Sequence, residues 1–227
     1  MIFPNLTYMH ALGVIFDMDG VIVDNADYHF QAWQEASRRH GIQLSEAEYQ
    51  RSYNGRPMKE ILRLMFGPQM SEAEGQEFED EKEALYRELY RPHIQPVPGL
   101  VDFLHSLRAA YIPCAVATSA PSRNVDFTLE NTHTRRFFEG VVDASMVKRG
   151  KPHPEVFLKA ADLLNILPHK CVVFEDALMG IAAAKAAGMK VVGVATTHPA
   201  SELSQADYVI GDFTELNLKI LRSIAAQ

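Results

Sequence analysis

Cysteine is scarce in this chain: Cys114 and Cys171 are the only two among 227 residues. Two thiols cannot staple a chain of this length into a disulfide framework. Both fall in apolar runs that read as strands, so buried, reduced thiols are expected. Long hydrophobic runs are missing as well. The longest apolar stretches, such as Val191 to Ala195, fall far short of a membrane span. The opening Met-Ile-Phe-Pro-Asn has neither the basic residues nor the small-residue cleavage site of an export signal, so a cytoplasmic location without a membrane partner is expected. Positive charge is in deficit. Lysine and arginine number 22 against 29 acids, a net charge of −7, which argues against a nucleic-acid partner because phosphate backbones select clustered basic residues. Several catalytic signatures are also absent. There is no Gly-x-Ser-x-Gly around Ser119, no Walker loop, no Gly-x-Gly-x-x-Gly and no His-Glu-x-x-His, and the nine histidines show no zinc-ligand spacing.

The composition that remains, 47% hydrophobic and 22% charged, supplies an ordinary core. Ala11–Phe16, Ile112–Ala117, Val141–Val142, Cys171–Phe174, Lys190–Val194 and Tyr208–Ile210 read as strands. They are continuous apolar runs rather than alternating ones, the pattern of strands buried on both faces in a parallel sheet. Amphipathic helices lie between them. Gly99–Ala110 sets Leu100, Phe103, Leu104 and Leu107 on one stripe, and Glu155–Leu164 does the same with Val156, Phe157, Ala160 and Leu164. The expected fold is α/β, a Rossmann-like doubly wound parallel sheet. From about Asp27 to Arg91 only helix signals occur, followed by three prolines in Arg91–Pro98. This reads as a helical module inserted after the first strand, with residues 1–24 and 96–227 forming the sheet domain and 25–95 the insert. The acidic stretch Glu72–Glu88 reads as a solvated helix face. No interface stripe compels association, so a monomer is expected.

In a parallel sheet, ligands bind beyond the carboxyl ends of the strands. Just past each strand end stand Asp17-Met-Asp19-Gly20, then Thr118-Ser119, then Gly150-Lys151-Pro152, then Glu175-Asp176. Asp17 and Asp19 are two residues apart, so on extended backbone both point to one side. Carboxylates gathered in this way repel, by about 4 kcal/mol for two charges ~4 Å apart at an effective dielectric near 20. Either a proton or a cation must intervene. An all-oxygen, thiol-free set suits Mg²⁺. Glu175 and Asp176 are adjacent and face opposite ways on regular strand geometry. Asp176 is therefore expected to bind metal directly, with Glu175 acting through water or a supporting bond.

These residues form a recognisable series. Phe16-Asp-Met-Asp-Gly-Val-Ile-Val-Asp24, Val116-Ala-Thr-Ser119, Gly150-Lys-Pro-His-Pro-Glu155 and Val173-Phe-Glu-Asp176 with Gly180-Ile-Ala-Ala-Ala-Lys-Ala-Ala-Gly188 together resemble the haloacid dehalogenase-like phosphatase superfamily. The segment Asp24-Asn-Ala-Asp-Tyr-His-Phe-Gln-Ala-Trp33 is similar to the β-phosphoglucomutase branch and its phosphatase relatives. The resemblance implies that the insert is a mobile cap, that Asp17 is a nucleophile forming an aspartyl-phosphate, and that Asp19 is the general acid and base. It further implies that Thr118, the Ser119 backbone and Lys151 hold phosphoryl oxygens. Mg²⁺ would be bound by Asp17, the Asp19 carbonyl and Asp176, with Glu175 in support. His29 and Trp33, one helical turn apart, and Asn54-Gly55-Arg56 would serve the substrate from the cap. The implied activity is that of a phosphatase of a small phosphorylated metabolite, with a hexose-phosphate mutase as the alternative. Arg56-Pro57-Met58 stands where the mutase pattern has Val-Ser-Arg, and Asn25 where it has threonine, which favours the phosphatase.

Overall fold

The computed structural model describes residues 12–53 and 58–227. The chain divides into two compact units, one of Met1–Asp24 with Gln95–Gln227 and one of Asn25–Ile94. The strands are β1 (Gly13–Phe16), β2 (Cys114–Ala117), β3 (Gly140–Val142), β4 (Cys171–Glu175), β5 (Lys190–Val194) and β6 (Tyr208–Ile210). The helices are α1 (Ala26–Arg39), α2 (Glu46–Ser52), α3 (Met58–Phe66), α4 (Glu72–Tyr90), α5 (Leu100–Ala109), α6 (Ser122–Asn131), α7 (Glu155–Leu164), α8 (Leu178–Ala186) and α9 (Leu218–Ala225).

All six strands lie in one sheet of order β3-β2-β1-β4-β5-β6, and every neighbouring pair is parallel. The sheet is doubly wound, as the unbroken apolar runs require. β1 through β3 step one way and β4 through β6 the other, so the winding reverses between β1 and β4, the place where such sheets form a crevice. One face packs Ile15, Ala115 and Val173 against Val156, Phe157 and Ala160 of α7 and Ile181 and Ala184 of α8. On the aromatic side, Phe16 stacks on Phe174 at 5.0 Å, and Phe103 of α5 meets Phe174 edge-on at 5.6 Å. Both thiols are buried and free. Among the described residues no helix is long and apolar enough to cross a membrane.

Three strand starts differ from the sequence expectation. β1 begins at Gly13, the expected start at Ala11 lying outside the described residues, and β3 begins at Gly140, one residue before Val141. β2 begins at Cys114 rather than Ile112, because Pro113 lacks an N–H and the Ile112 N–H is spent on the Leu107 carbonyl at the end of α5. Tyr111, at φ 55°, makes the turn between them. Gln95, assigned to the insert on sequence grounds, falls with the sheet unit. Within that unit Val23 bridges Pro96, and the Val97 N–H donates to the Ile22 carbonyl at 2.9 Å.

The helical unit is built on α1 and α4. Ser71 caps α4 and exchanges bonds with Glu74 in a capping box, which fixes where the acidic helix starts. Its apolar face buries Phe78, Leu85, Tyr86 and Tyr90. From α1, Trp33 is buried, with its ring 5.8 Å from that of Phe78. The His29 ring lies flat on Tyr86 at 3.9 Å. Lys82 is buried beside them. Its ammonium meets His29 Nδ1 at 2.9 Å and donates to Glu83 at 2.8 Å, so the buried charge is compensated.

Candidate active site

At the carboxyl ends of β1 and β4 the chain brings together one lysine and three acids. Asp17 follows directly on β1, and its N–H still donates to the Phe174 carbonyl at 2.9 Å, so its backbone stays tied to the sheet. Its carboxylate accepts from Lys151 Nζ at 2.7 Å, and the same ammonium donates to Glu175 at 2.5 Å. The lysine side chain is only 9% exposed, and its ammonium also lies over the Phe157 ring, 4.8 Å from the centroid, a cation–π contact beside the two carboxylates. Asp17, Glu175 and Asp176 are all buried, and one carboxylate oxygen from each lies within 4.8 Å of the others.

Glu175 and Asp176 do not diverge as a continuing strand would make them. β4 ends at Glu175, so strand alternation does not extend to Asp176, and both side chains reach the same cluster. Glu175 is the more committed of the two. Besides Lys151 it accepts the Ala177 N–H at 2.7 Å, at the entrance to α8. Two glycines make room for this crowding. A Cβ on Gly180 would overlap the Glu175 carboxylate, and one on Gly20 would overlap that of Asp176. Gly20 also sits at φ 76°, in the left-handed region, where the chain turns sharply after Asp19.

Three carboxylates and one ammonium leave an excess of negative charge out of water. Burial pushes Asp17 up to about 7. Lys151 opposes that shift, while Glu175 and Asp19 add to it. Asp176 is raised well above the ordinary aspartate range, first by burial and then by Glu175 and Asp17. Burial alone would lower Lys151, but Asp17 and Glu175 outweigh it and hold the lysine charged. The oxygen-only donor set and its uncompensated charge fit a hard divalent cation such as Mg²⁺. Protons and such a cation compete for the same oxygens, and the sign of that competition is fixed. A carboxylate raised in the folded state binds more protons folded than unfolded between about pH 4 and 7, so its contribution to stability is lost as pH rises through 7. The rise in melting temperature on adding Mg²⁺ is therefore expected to be small at pH 5 and to grow to pH 8. Thermal unfolding with and without the ion across that range checks it, and a shift independent of pH would count against the assignment.

The other sequence candidates stand as follows. Asp19 is half-buried in a turn closed by Ile22 N–H to Met18 O at 2.8 Å and Gly20 N–H to Val23 O at 2.7 Å, and its carboxylate is outside the buried trio. Thr118 and Ser119 follow β2, the strand beside β1. Thr118 is buried and its hydroxyl accepts from the Ala120 N–H at 3.0 Å, whereas Ser119 is exposed. His29 and Trp33 lie in the helical unit, in the contacts given above. Asn54, Gly55 and Arg56 lie outside the described residues. Two residues in contact with the site had no role assigned from sequence: Gly180, which entered only as part of a motif, and Thr196. The Thr196 hydroxyl donates to the Gly20 carbonyl at 2.5 Å. Thr196 follows β5, and extending the search for polar residues one strand further would have reached it.

The family model for haloacid dehalogenase-like hydrolases matches residues 14–194. The chain is 34% identical over 205 residues to validoxylamine A 7'-phosphate phosphatase of Streptomyces hygroscopicus subsp. limoneus, covering 89% of this chain and 94% of that protein. It is 35% identical over 216 residues to beta-phosphoglucomutase of Bacillus subtilis, covering 92% of each. A crystal structure of a HAD hydrolase, family IA, variant 3, from Entamoeba histolytica superposes with a TM-score of 0.88 at 28% identity, covering 95% of this chain and all of that one.

Proposed function

Because the chain belongs to the haloacid dehalogenase-like hydrolase family, we propose that it is a Mg²⁺-dependent phosphatase of a small phosphorylated metabolite, with sugar phosphates as the substrate class. The observation that carries this reading is Asp17, held at the end of β1 in contact with Lys151 and within reach of Glu175 and Asp176.

In the proposed reaction an Asp17 carboxylate oxygen attacks phosphorus, and the bond from phosphorus to the leaving oxygen breaks. Asp19 gives that oxygen its proton. A water then attacks the aspartyl-phosphate, Asp19 takes the water's proton, and the Asp17–phosphorus bond breaks to release phosphate and restore the carboxylate. Lys151 supplies positive charge to the phosphoryl oxygens, and Thr118 with the Ser119 backbone offers donors at the neighbouring strand end. Asp17, Asp176 and the Asp19 carbonyl would hold Mg²⁺, with Glu175 in support. Bound there, the ion lowers the repulsion between a carboxylate and a phosphate dianion. A strand-end nucleophile fixed by its own backbone bond to β4 supplies the positioning that phosphoryl transfer chiefly requires.

The test is phosphate release from a panel of sugar phosphates, nucleotides and pyrophosphate, with and without Mg²⁺. Turnover is expected on sugar phosphates and only with the ion. Absence of turnover across the panel contradicts the reading. The identity to a beta-phosphoglucomutase over 92% of both chains supports a second reading, a hexose-phosphate mutase. β-Glucose 1-phosphate with a bisphosphate primer separates the two, because a mutase yields glucose 6-phosphate and a phosphatase yields free phosphate.

A further inference from the structure

The segment after β5 touches the turn that carries Asp19 at a point that the chemistry above leaves unused. The Thr196 hydroxyl reaches 176 positions back along the chain to donate to the Gly20 carbonyl. The segment is itself held in place. The Ala195 N–H donates to the Ile210 carbonyl of β6 at 2.8 Å, and the Thr196 N–H to the Val194 carbonyl at 2.9 Å. The turn bearing Asp19 is closed by bonds between near neighbours, Gly20 to Val23 and Ile22 to Met18, and is tied at its far end by the Val97 N–H to the Ile22 carbonyl. The Thr196 hydroxyl holds the end next to Asp19. Gly20, having no side chain, cannot brace that turn by packing. Threonine suits such a task, since branching at Cβ restricts χ1 and fixes the direction of the hydroxyl.

We propose that Thr196 is a positioning residue: it anchors to the sheet the turn that presents Asp19. The proposal rests on the phosphatase reading.

Kinetics at saturating Mg²⁺ are expected to show kcat lowered by about 10-fold or more in Thr196→Val, which keeps the shape and removes the hydroxyl, with KM unchanged, and kcat recovered in Thr196→Ser. An unchanged kcat, or equal losses in the valine and serine variants alongside a lowered melting temperature, overturns it. Should Thr196→Val fail to fold, Thr196→Ala, which relieves any packing conflict, takes its place with the same expectations. If the wild-type protein releases no phosphate from any substrate, the phosphatase reading fails and the assignment of Thr196 falls with it. Turnover in the wild type with unchanged kcat in Thr196→Val overturns the assignment alone.

Discussion

Lys151→Met is expected to cost about 3–5 kcal/mol of folding stability at pH 8, the loss typical of removing one partner from a buried ion pair. Methionine keeps most of the length of the side chain, so the change falls chiefly on the charge, and the ammonium's contact with the Phe157 ring goes with it. What remains is Asp17, Glu175 and Asp176, all buried, with no ammonium among them. Such carboxylates take up protons, which fixes the sign of the pH dependence. Removing Lys151 takes away a group that lowers Asp17 and Asp176, so both rise further above the ordinary aspartate value. The penalty is small near pH 4, where the unfolded chain is protonated as well, and grows as pH rises. Urea unfolding at pH 5 and pH 8 checks this. The deficit should be clearly larger at pH 8 and partly offset by Mg²⁺. An equal deficit at both values would place the cost in packing and contradict the electrostatic account.

Asp17→Asn is expected to lower phosphate release by at least ~10³-fold while the protein remains folded. The amide keeps an oxygen that can accept from Lys151, so the local bond pattern survives, but it has no charged oxygen with which to attack phosphorus. Rapid acid quenching followed by intact-protein mass spectrometry adds a direct view. The wild type, mixed with its best substrate, should carry one phosphoryl group, and Asp17→Asn none. Turnover in the variant within tenfold of the wild type would remove Asp17 from the nucleophile's role, whatever the substrate.

The parts of the site legible in the sequence follow from one physical rule. Continuous apolar runs imply parallel strands covered on both faces, and such strands collect ligands beyond their carboxyl ends. Applied to β1, β4 and the connection after β3, the rule selects Asp17, Glu175, Asp176 and Lys151, and the structure brings all four into one cluster. The rule failed where it assumed regular geometry. It set Glu175 and Asp176 on opposite faces, because it could not see that β4 ends between them. It began β2 at Ile112, because nothing in the hydropathy reveals that this N–H closes the end of α5.

Other features carried no chemical signature. Gly180 looks like any small residue early in a helix, and its value lies in the absence of a Cβ beside a carboxylate five positions earlier in the chain. Thr196 is an ordinary turn residue until its partner at Gly20 is known. His29 and Trp33 were legible as sharing a helix face. Lys82, which bonds to His29 from 53 positions away, was not, since a lysine in an acidic helix reads as a surface charge.

The bridge between Val23 and Pro96, with the hydrogen bond from Val97 to Ile22, has a consequence for how such a chain is assembled. The polypeptide leaves the sheet unit and returns to it at adjoining points, so the intervening seventy-odd residues are spliced into what amounts to a single surface loop. Joining those points directly would ask for only a short connection, and the entropy of loop closure grows slowly with the length of whatever is placed there. The sheet unit can therefore host modules of different size at this one junction, and a new module can be exchanged for the old without disturbing the register of any strand.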